Sequence, residues 1–266
     1  MSEDNDKLKK HSLETQFFKP KPSFGTKTRF IWKSDGKESA EPKIIELQKV
    51  TLTNDNEVVF SMLDFDVKKN EKIAVIGESG SGKTQLLFLC AGLTEPDEGL
   101  ILVNGIDPSR GRYEDVVRVR RRIGLVFQEG VMINNITIYD NIALPLRYHS
   151  VFDVKDVEKK VNKAIRKFML NGYENKKPAE TSLGVLRLAA YARAYIIEPL
   201  IYLIDEPFTD LDSKGVHLIG EFLDEIKHDM ATTMVMTGSN ASQISKWADR
   251  TAYIEDKNVV GRIKMS

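Results

Sequence analysis

Residues 76–84 read Ile76-Gly77-Glu78-Ser79-Gly80-Ser81-Gly82-Lys83-Thr84 and follow the apolar run Ile73 to Ile76. The segment fits G-x-x-x-x-G-K-[ST], and no other stretch of the chain constrains its fold as tightly. Such a loop works only between a buried strand and a helix, so the surrounding fold has to be α/β. Its glycines let successive backbone N–H groups turn inward around the β- and γ-phosphates of a nucleotide, a geometry that a Cβ obstructs. Gly77, Ser79, Gly80, Ser81 and Gly82 are the candidate phosphate cradle. Lys83 is placed to reach the terminal phosphates, and the Thr84 hydroxyl to ligate Mg²⁺. The helix that starts here adds its positive dipole end.

A second segment completes the chemistry. Leu200-Ile201-Tyr202-Leu203-Ile204 is apolar throughout and runs into Asp205-Glu206-Pro207. Carboxylates at the C-terminal end of a buried parallel strand face the ligand crevice. Asp205 can hold the Mg²⁺ shell opposite Thr84, and Glu206 can accept a proton from the water that attacks the γ-phosphate.

Between and around these segments, helical and strand patterns alternate. Leu63 to Val67 alternates apolar and acidic residues, as a half-buried strand does. Asp97-Glu98-Gly99 marks a turn, Leu100 to Val103 a short strand, and residues 123–127 a buried one. Val154, Val157, Val161, Ile165 and Phe168 fall at helical spacing from Asp153 onward. Further helices are expected over about 182–197 and 215–226, with a strand over 232–236. This order predicts a mostly parallel sheet covered on both faces, with an inserted helical piece at about 130–185. The folded part is expected to start near Ile44. Residues 1–43 are polar and poor in aliphatics, which predicts a disordered extension. Within it Lys19, Lys21, Lys27, Arg29 and Lys33 interleave with Phe17, Phe18, Phe24, Phe30 and Trp32. That stretch suits either docking on a membrane or partner surface or a solvated tail.

Composition removes some function classes. Lys+Arg and Asp+Glu are equal at 39 each, so no charge excess points to nucleic acid. The single cysteine, Cys90, cannot form an internal disulfide and is expected in the core. No apolar run approaches the roughly 18 residues a membrane span needs, and no signal-peptide segment is evident. A cytoplasmic location, with any membrane role peripheral, is the expectation.

Over roughly residues 44–260 the chain resembles the ATP-binding-cassette ATPases. Asp205-Glu206-Pro207 followed by Phe208-Thr209-Asp210-Leu211-Asp212 resembles that family's second nucleotide motif and D-loop, which brings Asp212 into the candidate site. Val126-Phe127-Gln128 resembles its glutamine loop, which implies that Gln128 touches Mg²⁺ or the attacking water. The segment from Phe127 to Arg147 is similar to the ATPases of Mla/MCE-type lipid transporters of bacterial envelopes. The resemblance implies a RecA-like P-loop NTPase core with a mostly parallel sheet, an antiparallel β subdomain and an inserted α-helical subdomain. It also implies ATP and Mg²⁺ as cofactors. Implied partners are transmembrane permease subunits, a second ATPase subunit (the same chain or a paralogue) and MCE-domain lipid-binding proteins. Met132, Ile133 and Ile136 are candidate permease contacts.

The chain departs from that family in three places. The signature, usually Leu-Ser-Gly-Gly-Gln, corresponds to Thr181-Ser182-Leu183-Gly184-Val185, so Ser182 and Gly184 remain available to a γ-phosphate while Leu183 adds bulk. The switch histidine is missing from Thr237-Gly238-Ser239-Asn240, although Ser239 or Asn240 offers an uncharged substitute. Loss of one preorganised donor typically costs about 3 kcal/mol of transition-state stabilisation. The usual adenine-stacking aromatic is also absent, with Asn54 near its place. Three outcomes are compatible with these departures: a heterodimer whose partner supplies the signature, a slow homodimer, or a nucleotide-binding clamp with little turnover. Retention of Glu206 favours turnover.

Overall fold

From Lys43 the chain opens with three strands and then mixes helices with strands. The computed structural model describes residues 42–55, 57–128, 130–148 and 153–254; the expected N-terminal extension lies outside them. Strands β1 (Lys43–Asn54) and β2 (Glu57–Lys68) form a hairpin, and β3 (Lys72–Gly77) leads through the phosphate loop into α1 (Lys83–Ala91). Next come β4 (Glu98–Val103), α2 (Tyr113–Arg120), β5 (Ile123–Val126), α3 (Ile138–Tyr148), α4 (Val154–Lys167) and α5 (Leu183–Tyr195). The chain continues with β6 (Ile201–Asp205), α6 (Ser213–His228), β7 (Thr233–Gly238), α7 (Ala241–Ile244) and β8 (Arg250–Ile254).

Two sheets of different character result. One is antiparallel in the order β2-β1-β4, and the other has five strands in the order β5-β6-β7-β3-β8, every pair parallel. Alternate residues of the parallel strands feed two separate cores. Ala74, Ile76, Ile204, Met234 and Met236 face the helical side with α3 to α6, whereas Ile73, Val75, Leu203 and Val235 meet the antiparallel sheet and α1. A sheet buried on both faces explains why its strands are uniformly apolar rather than alternating. Cys90 is fully buried in the second core, as expected, and burial pushes its thiol pKa up.

Several strands and helices were legible from local chemistry. Asp153 caps α4 by accepting from Asp156 N, and Val157, Val161 and Ile165 are buried along it, although Val154 is exposed. Asp97 bends the chain as expected, but Glu98 and Gly99 already belong to β4. β1 was not predicted because bulges break its two-residue period, and Lys49 there takes a left-handed φ of 51°. α2 was missed because its eight residues bury only Val116 and Val119.

α3, α4 and α5 pack on one another, and α5 also lies against β5. Aromatic rings join this layer to the parallel sheet. Phe222 of α6 sits edge-on to Phe168 (5.2 Å), Tyr202 (5.6 Å), Tyr191 (5.9 Å) and Tyr195 (6.1 Å). Phe222→Ala is expected to cost about 3–5 kcal/mol of stability, read from the urea midpoint. A loss under about 1 kcal/mol would show that the ring cluster repacks around the void.

Candidate active site

The phosphate loop crosses from β3 to α1 with its backbone wound inward. Gly82 supplies the sharpest turn, at φ 97°, and a Cβ there would stand 2.8 Å from Val59 Cγ1 and 2.9 Å from Phe60 Cζ. β2 therefore backs the loop, and only glycine fits the turn. Lys83 folds into the loop it follows, donating to Gly77 O at 2.8 Å and Glu78 O at 2.9 Å. Its Nζ also lies 3.4 Å from Glu206 Oε1. The Ser81 hydroxyl is buried and has no protein partner.

The strand order decides what faces this loop. β7 lies between β3 and β6, with Ile76 level with Gly238 and Asp205 level with Thr237. The end of β7 thus sits between the phosphate loop and the two carboxylates. Asp205 is buried and accepts from Thr84 Oγ1 at 2.7 Å and from the Thr237 hydroxyl. Glu206 accepts from Ser239 Oγ at 2.7 Å. Its backbone is left-handed, at φ 45°, a conformation few non-glycine residues adopt. A polar cavity of about 240 Å³ collects these groups: Ser79, Gly80, Gly82, Lys83, Thr84 and Gln85 from the loop and α1, then Gln128, Asp205, Glu206, Thr209 and Ser239.

Residues 60–209 match the family model described as ABC transporter. The chain belongs to that family. It is 31% identical over 217 residues to "Intermembrane phospholipid transport system ATP-binding protein MlaF" of Haemophilus influenzae, spanning 82% of each chain. Against the Escherichia coli K12 protein of the same name it is 29% identical over 223 residues, 84% of this chain and 83% of that one. Among solved structures, the dimeric ATP-binding cassette MJ0796, in a post-hydrolysis state bound to ADP and Pi, superposes with a TM-score of 0.75 at 25% identity. The match covers 83% of this chain and 98% of that one.

Within this ABC cassette not every expected site residue lines the phosphate cavity. Gly77 contributes its carbonyl to Lys83, and Ser81 lies in the loop with its unpaired hydroxyl. Ser182, Gly184 and Asp212 lie outside the cavity. Ser182 caps α5 through Val185 N, at a long 3.4 Å, and Asp212 caps α6 through Gly215 N at 2.8 Å. Gly184 packs against the segment before Asp212, since a Cβ on it would stand 3.0 Å from Asp210 O. Leu183 is exposed. Of the candidate permease contacts, Met132 is buried in the helical core, Ile136 is half-buried and Ile133 is exposed. Of the two uncharged substitutes for the switch histidine, Asn240 is occupied, because its side chain accepts from Ser242 N and Ser242 Oγ. Ser239 reaches the site.

Sequence reasoning passed over Arg187. It lies on the buried stripe of α5 with Ala190, Tyr191 and Ala194, at i, i+3, i+4 and i+7. A charged residue in that stripe was the available signal. Arg187 Nη2 donates to the backbone carbonyls of both carboxylate residues, Asp205 and Glu206, the latter at 2.6 Å. Tyr191, one turn on, donates to Pro207 O at 2.9 Å, and burial pushes its hydroxyl pKa up. α5 therefore clasps the turn that carries the two carboxylates. Arg187→Met is expected to lower kcat for ATP about tenfold or more, while ATP affinity holds, because the carbonyls of a strained turn lose their donor. Wild-type kcat in that variant would show that Tyr191 and Thr237 hold the turn unaided.

Proposed function

We propose that this cassette is the ATP-hydrolysing subunit of a bacterial phospholipid transporter of the Mla type, with permease subunits and MCE-domain lipid-binding proteins as its partners. One observation carries the reading: the likeness to MlaF runs over 82% of both chains. Identity alone does not select this cargo. The "Spermidine/putrescine import ATP-binding protein PotA" of Acetivibrio thermocellus is 33% identical over 217 residues, but the match covers only 60% of that protein. Among the described residues no helix is long and apolar enough to cross a membrane. As a subunit of such a transporter the chain sits at the cytoplasmic face of the inner membrane, held there by its permease.

The chemistry follows from the cavity. Backbone N–H groups of the loop and the Lys83 ammonium bind the β- and γ-phosphates of ATP. Thr84, Asp205 and Gln128 line this cavity and offer a hydroxyl, a carboxylate and an amide oxygen, a hard-oxygen set that suits Mg²⁺. When bound, Mg²⁺ neutralises charge on the phosphate oxygens. Glu206 takes the proton of the water that attacks the γ-phosphorus, as the bond to the β,γ-bridging oxygen breaks and ADP and phosphate form. Ser182, Gly184 and Asp212, being outside this cavity, serve the nucleotide of a second cassette, either another copy or a paralogue. The dimeric state of MJ0796 supports that division.

The test is ATP-driven phospholipid movement between vesicles by the complex recovered with the tagged full-length chain. Movement that stops in Glu206→Gln is the expected result. ATP turnover that moves spermidine and no phospholipid would overturn the choice of cargo.

A further inference from the structure

We propose that the Ser239 hydroxyl is a positioning residue for hydrolysis, fixing which oxygen of Glu206 takes the proton. The inference rests on the reading of Glu206 as proton acceptor, and deepens it. Ser239 Oγ donates to Glu206 Oε1 at 2.7 Å, and Lys83 Nζ lies 3.4 Å from that same oxygen. Glu206 Oε2 has no hydrogen-bond partner among the described residues. The two oxygens of a glutamate exchange by rotation about a soft terminal torsion. The Ser239 hydrogen bond, with the Lys83 charge beside the same oxygen, selects one orientation and leaves Oε2 as the base.

Among the described residues, the side chains recorded on Glu206 Oε1 are those of Ser239 and Lys83. Gly238 has no side chain to offer, and a Cβ there would meet Ile244 Cδ1 at 2.8 Å. Asn240 is turned away to cap α7. Among the described residues the histidines are His217 and His228, both on α6 and neither lining the cavity. Once phosphate oxygens draw Lys83 away, Ser239 is the donor that remains on Oε1.

Ser239 is exposed, so its truncation leaves the packing intact. In the complex carrying the full-length chain, Ser239→Ala is expected to lower kcat for ATP about tenfold or more, with KM and ATP affinity unmoved. Ser239→Thr, which keeps the hydroxyl, is expected to recover most of that loss. Wild-type kcat in Ser239→Ala, alongside a Glu206→Gln variant that has lost turnover, would overturn the proposal and leave the site reading standing. An equal loss in the Ala and Thr variants would also overturn it, since side-chain shape and not the hydroxyl would then matter. If Glu206→Gln itself retains turnover, the reading on which the proposal rests fails first.

Discussion

Glu206→Gln is expected to lower steady-state ATP hydrolysis by about 10²- to 10⁴-fold, the range a positioned general base contributes. The amide keeps the size of the side chain and can still accept from Ser239, so the backbone turn held by Arg187 and Thr237 is not disturbed. What disappears is the carboxylate and its charge. That charge sits 3.4 Å from Lys83 Nζ, with both side chains largely buried. Removing it leaves the ammonium without a counter-charge until phosphate arrives, and ATP affinity is expected to hold or rise. Phosphate release and a fluorescent-nucleotide titration read the two effects separately. Turnover indifferent to the substitution would assign hydrolysis to another subunit of the complex and make this chain a nucleotide-binding clamp.

Lys83→Ala is expected to weaken ATP binding by about 100-fold or more, since it removes charge-assisted bonds worth roughly 3 kcal/mol. The lysine does more than meet phosphate. An ammonium has three donors; in this structure Lys83 donates to Gly77 O and Glu78 O and forms an ion pair with the Glu206 carboxylate. Its loss strips the loop of two carbonyl contacts as well as the cation. Calorimetry or nucleotide fluorescence on the purified chain measures the change. Unaltered affinity would remove the loop from nucleotide binding altogether.

Much of this protein follows from residues close together in the chain. The phosphate loop needs glycine where φ turns positive, as at Gly82, and a lysine and threonine immediately after. β6 is apolar until Asp205 because both of its faces are buried. Asp153 announces α4, because a capping carboxylate reaches N–H groups only three residues ahead. Elements with a broken or weak period escaped that logic. β1 carries bulges, and β8 buries only Ala252 fully.

The contacts that complete the site depend on register between distant strands. Placing β7 between β3 and β6 brings Thr237 to Asp205 and Ser239 to Glu206, and it seats both pairs against the phosphate loop. Packing α5 beneath the end of β6 turns Arg187 from an oddity in an apolar stripe into a clasp on two carbonyls. The sequence by itself determined the groups able to bind and split a nucleotide, because propensity, period and capping act within a few residues. Only the tertiary structure decided which hydroxyl, cation and guanidinium stand against Glu206, because those contacts form between segments that sheet order alone brings within reach.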